Sequence, residues 1–298
     1  MVPELTLGRT GLRVSRLGLG GFPFGAVNRA RGWDPYTDDG RRTAIRTIDA
    51  ALDAGINYID TAPGYGQGHS ESVLGEALRQ RRDDVVLASK VGYRIEPDAV
   101  VQSVETSLER LSTDHLDVIQ FHGGMYESRD VEHIVEHGLL DALERLRDAG
   151  KVRFIGFTAE EPWTARPLIA TGRFDVVQLR YNLIYQAAAL HALDEAHSAG
   201  MGVAVMRPLT SGILQRIAAH LAPGWQQAHD VNEVALKFVL ADRRVHVANV
   251  GMRWPEEVHA NVQLAATFEP PLEVAELPRL TAGIYRSEDE RFDQNDEA

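Results

Sequence analysis

The sequence predicts an α/β fold, a (β/α)8 TIM barrel with an N-terminal β-hairpin capping the barrel bottom. Three observations carry that expectation. Short strand-like runs alternate with helical patterns eight times, at intervals of about 25 to 45 residues. The runs are apolar throughout, as strands covered on both faces are. No Pro/Ser-rich linker or shift in composition divides the chain, so residues 1–298 are expected to form one domain.

Residues 1–15 hold two short alternating runs around a Gly-bounded turn, the pattern of a hairpin. Residues 16–20 give the first barrel strand, and 26–40 a long polar loop containing Trp33 and Tyr36. Ala44, Ile45, Ile48, Ala51 and Leu52 recur at helical spacing until Gly55 stops the helix. Further strands are expected at 56–60, 85–89, 116–121, 152–157, 175–179, 202–206 and 245–250. Helices are expected near 70–81, 97–111, 161–171, 187–199, 212–241 and 255–266, with helical pieces between Phe121 and Val152 broken at Gly138 and ended by Gly150. The acidic tail, 286–298, is poor in apolar residues and is expected to be mobile.

A 44 % apolar, 25 % charged chain of 298 residues has the balance of a soluble enzyme with ample core. A net charge of −12 argues against nucleic acid or an anionic membrane as partner. With no cysteine there is no disulfide and no thiolate chemistry. The first residues lack the charged start and apolar run of a signal peptide, and no stretch of about 18 apolar residues exists, so a cytoplasmic protein is expected.

Three of these strands end on an ionisable residue. Run 56–60 ends in Asp60, and a Pro/Gly turn carries Tyr65 just beyond it; 85–89 runs into Lys90, and 116–121 into His122. Each has an ordinary explanation alone: a cap, a packing ring, a core histidine. Three neighbouring parallel strands delivering them to one rim make an acid–base site the better reading. A phenol ordinarily ionises near about pH 10, and an adjacent ammonium lowers that value. Asp60 keeps Lys90 charged and aimed; His122 is placed to hydrogen-bond a carbonyl oxygen. The set suits proton transfer to or from an oxygen that alternates between carbonyl and alcohol. It supplies no electrons, so a borrowed hydride donor, nicotinamide, is expected.

The sequence resembles the aldo-keto reductase family over almost its whole length. Leu7-Gly8-Arg9-Thr10-Gly11-Leu12-Arg13-Val14-Ser15 resembles the family's opening hairpin. Gly55-Ile56-Asn57-Tyr58-Ile59-Asp60-Thr61-Ala62 with Tyr65-Gly66 resembles its most specific motif. Lys90 and His122 stand at matching positions. The resemblance implies an oxidoreductase moving hydride between NADP(H) and an aldehyde, ketone or sugar, with Tyr65 as general acid/base. Lys90 and Asp60 then tune Tyr65, and His122 orients substrate. An alternative of another class is a nicotinamide-binding redox-sensing or regulatory barrel with little turnover.

The resemblance also assigns cofactor residues. Thr158 and Gln178 would contact the nicotinamide carboxamide, although Ala159 replaces a usual Asn. Met206 stands where an aromatic ring often stacks on nicotinamide. Arg207, Leu209 and Ser211 lie in the pyrophosphate-like loop 207–212. Gly251, Arg253, Glu257 and Asn261 belong to the adenosine-phosphate segment; Arg253 suits a 2′-phosphate, whereas Glu257 suits ribose hydroxyls. NADP(H) is expected over NAD(H). Trp33, Tyr93 and Tyr126 are candidate pocket walls, and the lack of an extended apolar C-terminal loop points to an open site for polar or sugar-like substrates.

Two further signals are set aside. His133-Ile134-Val135-Glu136-His137 has the spacing of a zinc hydrolase, but no third ligand is marked, and no metal is expected. Gly18-Leu19-Gly20-Gly21-Phe22-Pro23 begins like a dinucleotide fingerprint, yet Pro23 takes the third glycine's place.

Overall fold

A computed structural model describes residues 2–221 and 230–267. The acidic tail and part of the expected helical stretch 212–241 lie outside the described residues. Glu4–Thr6 (β1) and Arg13–Ser15 (β2) pair antiparallel, as the hairpin signal predicted. Eight parallel strands then close a barrel: Leu17–Gly20 (β3), Tyr58–Asp60 (β4), Val86–Val91 (β5), Leu116–Phe121 (β6), Val152–Ala159 (β7), Val176–Arg180 (β8), Gly202–Met206 (β9) and Val247–Gly251 (β10). β10 closes the ring against β3.

Outside the barrel run Asp38–Asp53 (α1), His69–Ala77 (α2), Pro97–Leu111 (α3), Ser128–Glu136 (α4), Leu139–Asp148 (α5), Arg166–Ala170 (α6), Ala187–His191 (α7), Leu193–Ser198 (α8), Ile213–Leu221 (α9), Val231–Ala241 (α10) and Pro255–Ala266 (α11). The expected helix 161–171 is shorter, beginning as a 3-10 turn at Pro162–Ala165. The expected helix 187–199 is split at Ala192. No helix among the described residues is long and apolar enough to cross a membrane.

Strand alternation sorts the barrel interior into two layers. The lower layer is apolar: Tyr58, Val86, Val118, Val176 and Val247 pack with Leu7, Leu12 and Val14 of the hairpin region, which plugs the bottom. Further along the same inward face stand Asp60, Gln120 and Gln178, two residues on, and Lys90, four residues on, all buried. A separate apolar cluster lies between the strands' outer faces and the helices. The plug therefore excludes water from below, and polar side chains above it face only each other and the mouth.

Candidate active site

Asp60 ends β4, and the turn beyond it brings Tyr65 back over the mouth, with Tyr65 N–H donating to the Ala62 carbonyl at 3.0 Å. Gly66 adopts φ +65°, and a Cβ on Gly25 would stand 2.3 Å from the Tyr65 carbonyl oxygen, so both glycines are needed for this close approach. The Tyr65 ring is held edge-on between Phe22, at 5.3 Å, and His122, at 5.9 Å between centroids.

Lys90 is 2 % exposed and spends its three N–H donors inside the site. Nζ donates to Asp60 Oδ2 at 2.6 Å, to the Thr61 carbonyl at 2.8 Å and to Tyr65 Oη at 3.1 Å. Tyr65 Oη accepts from the ammonium, which leaves its own O–H free to point elsewhere. Burial opposes the charged amine, but the Asp60 carboxylate and the hydrogen bonds of Asp60 and Tyr65 outweigh it, and the Lys90 pKa rises above 10.5.

The other Asp60 oxygen is also fully engaged. Oδ1 accepts from Gln120 Nε2 at 3.1 Å and from Gln178 Nε2 at 2.9 Å. Gln120 was not singled out in the sequence, although it stands two residues before His122 on the same face of β6. On the outer face of β5, Ser89 Oγ donates to the buried Glu71 at 2.8 Å and fixes the strand that carries Lys90.

His122 ranks among the exposed residues, yet the walls of the mouth crowd its ring. That desolvation, with the Lys90 charge, lowers its pKa to about 4; Asp60 and Glu160 oppose the shift. The ring is therefore neutral near pH 7 and offers one donor and one acceptor.

The cofactor residues expected from the sequence form an arc along the rim of β7–β10. Thr158 Oγ1 is held by the loop after β6, donating to the Gly123 carbonyl at 2.8 Å and accepting its N–H at 3.0 Å. Gln178 points at Asp60, Met206 is half-buried at the end of β9, and Leu209 packs on the core. Arg207 is exposed and pairs with Glu160 at 2.7 Å, and Ser211 is exposed with φ +54°. Gly251 is exposed at the end of β10. Asn261 is buried, its Nδ2 donating to the Glu257 carbonyl at 2.7 Å. Arg253 is half-buried; its Nε is buried without a hydrogen-bond partner among the described residues. An anion-seeking orphan donor at this point fits a phosphorylated cofactor.

Two of the three pocket-wall expectations change. Trp33 is core, 2 % exposed, its indole N–H donating to the Pro23 carbonyl at 2.8 Å. Tyr126 is buried against Phe157, and its hydroxyl supports the Thr158 carbonyl at 2.9 Å. Tyr93 is half-buried and donates to the Met125 carbonyl at 3.2 Å. Phe22, 57 % exposed, is the ring that packs edge-on against Tyr65; its place two residues past β3 was the available signal. In the set-aside zinc motif, His133 Nε2 lies 3.0 Å from the Ile95 carbonyl oxygen, its hydrogen-bond partner.

Comparison with known proteins agrees with the barrel fold. The sequence profile described as "Aldo/keto reductase family" matches residues 16–281. An L-galactose dehydrogenase of Arabidopsis thaliana is 30 % identical, the match covering 88 % of each chain. An NADH-specific methylglyoxal reductase of Escherichia coli is 29 % identical over 76 % of this chain and 74 % of its own. Among solved structures, the holo form of an aldo-keto reductase from Bacillus halodurans superposes with a TM-score of 0.78 at 27 % identity, covering 94 % of this chain and 96 % of that one.

Proposed function

Because the chain belongs to the aldo/keto reductase family and is a nicotinamide-dependent oxidoreductase of small carbonyl compounds, we propose that Tyr65 is its general acid/base and NADP(H) its preferred cofactor. The observation that carries the reading is the Asp60–Lys90–Tyr65 chain, with the phenol oxygen 3.1 Å from a buried ammonium.

Bound nicotinamide supplies or accepts the hydride. The protein's part is everything else. The Lys90 ammonium donates to Tyr65 Oη at 3.1 Å, so the charge left on that oxygen as its proton passes to the substrate oxygen meets a fixed cation. Asp60 keeps that ammonium charged and fixed. Neutral His122 donates a second hydrogen bond to the same oxygen and sets the carbonyl's orientation. In the oxidative direction the same phenolate takes the alcohol proton. The plugged barrel bottom keeps bulk water from solvating the ammonium, which strengthens its effect on Tyr65.

Gln178 would hold the carboxamide, Met206 the nicotinamide face, and Arg207 with loop 207–212 the diphosphate. Arg253 would meet the 2′-phosphate. A second reading, NAD(H) preference, rests on the Glu257 carboxylate and on the name of the Escherichia coli relative. The relatives' names speak for sugars and small polar carbonyls, and the proposed substrates are of that class.

Steady-state turnover of aldehydes, ketones and aldoses with NADPH and NADH tests this reading. Turnover of small polar carbonyls or sugars, with the higher kcat/KM on the phosphorylated cofactor, is expected. Turnover only with NADH contradicts the cofactor preference, and no turnover with any carbonyl or alcohol contradicts the reaction.

A further inference from the structure

Arg31, in the segment between β3 and α1, reaches across to α11. Its Nη2 lies 3.0 Å from Glu257 Oε1, and its guanidinium carbon 5.0 Å from the centroid of the Trp254 ring. That platform is rigid: Trp254 packs edge-on against buried Trp33, at 5.6 Å. The backbone of the segment is closed on itself as well, with Asn28 and Trp33 bridged and Arg31 N–H donating to the Asn28 carbonyl at 3.1 Å.

The other oxygen of Glu257 accepts the Arg253 backbone N–H at 2.7 Å. Burial lowers the Arg253 pKa; the Arg31 charge adds to the shift and Glu257 opposes it. The Arg31 guanidinium and the Arg253 backbone N–H therefore hold the two oxygens of one carboxylate, and Arg253 Nε, buried without a hydrogen-bond partner among the described residues, is a further donor on the same residue. A phosphate monoester needs that arrangement of donors and carries about twice the charge of a carboxylate at neutral pH.

We propose that Arg31 and Arg253 together receive a phosphate monoester, the cofactor's 2′-phosphate, and that Glu257 holds its place on Arg31 until it binds. The proposal rests on the NADP(H) reading for its ligand. Arg31 and Glu257 are 53 % and 22 % exposed at their side chains, so the pair is solvent-screened and easily exchanged. Without a 2′-phosphate the pair stays closed, and the carboxylate is available to ribose hydroxyls. One site thus discriminates the two cofactors by which acid Arg31 holds.

Calorimetric titration of the full chain with 2′,5′-ADP and with 5′-AMP tests this without turnover. Arg31→Ala is expected to weaken 2′,5′-ADP about tenfold or more, the cost of a charged hydrogen bond, while 5′-AMP moves less than about twofold. Glu257→Gln is expected to tighten 2′,5′-ADP and not 5′-AMP. Arg31→Lys should recover only part of the loss, because an ammonium lacks the planar fork. Equal weakening of both ligands by Arg31→Ala, or no change in either, in both the native and the Glu257→Gln backgrounds, overturns the proposal. If the native chain binds both ligands alike but Glu257→Gln gains 2′,5′-ADP affinity that Arg31→Ala removes, the cofactor preference fails and the receptor stands.

Discussion

Gln120 donates its side-chain N–H to Asp60 Oδ1 at 3.1 Å, inside the barrel and out of reach of solvent. With Gln178 on the same oxygen and Lys90 on the other, the carboxylate cannot rotate without losing a bond to a charged group. Its direction sets the direction of Lys90, which donates to Tyr65 Oη at 3.1 Å.

Gln120→Leu removes one of these donors from a buried charge. The expected cost is about 1.5–3 kcal/mol of stability, read by urea denaturation. A fall in kcat with little change in cofactor Kd is expected alongside. A variant as stable and as fast as the native chain would mean that Gln178 alone suffices to hold Asp60.

Lys90→Met leaves Asp60 buried without its counter-ion. Breaking a buried pair in this way costs about 3–5 kcal/mol, measurable by denaturant titration. The pH dependence has a definite sign. Because the folded Lys90 pKa is raised above 10.5, its stabilisation is complete below that pH and is lost as pH rises through the folded value. The native chain should lose melting temperature in that alkaline window more steeply than Lys90→Met.

His122 behaves in the opposite sense. Its folded pKa of about 4 lies below the ordinary 6.5, so the unfolded chain binds the proton first. Stability is lost as pH falls from about 6.5 towards about 4, and His122→Asn should remove that share of the loss. Thermal melts of both proteins across this window check it; parallel curves would contradict a desolvated ring.

Phe22→Ala removes the ring that packs edge-on against Tyr65. KM for aromatic aldehydes is expected to rise more than kcat falls, while KM for small polar carbonyls changes little. Steady-state comparison of the two substrate classes reads the difference, and equal effects on both would assign Phe22 to holding Tyr65.

The barrel and the four groups at its mouth were legible because each is written locally. A buried parallel strand is an uninterrupted apolar run, and Asp60, Lys90 and His122 stand at or just past the ends of such runs. Gln120 was not singled out because it sits inside the run; only the inward period of two, shared with Val118 and His122, marks it. Trp33 was misplaced because a tryptophan in a polar loop gives no sign of the Pro23 carbonyl and Trp254 ring that bury it. The Arg31–Glu257 pair joins positions remote in sequence, and no spacing rule reports such a contact. Helix ends moved where local chemistry intervenes, as at Pro162 and Pro167, which open a 3-10 turn and a short helix in place of one longer helix.

The most direct test of the central claim is single-turnover hydride transfer from NADPH to a carbonyl substrate by Tyr65→Phe, with NADPH Kd measured in parallel. The account predicts a rate lower by about 10²- to 10⁴-fold, the share of a positioned general acid, with Kd unchanged within about twofold. A variant that transfers hydride at the native rate would contradict it.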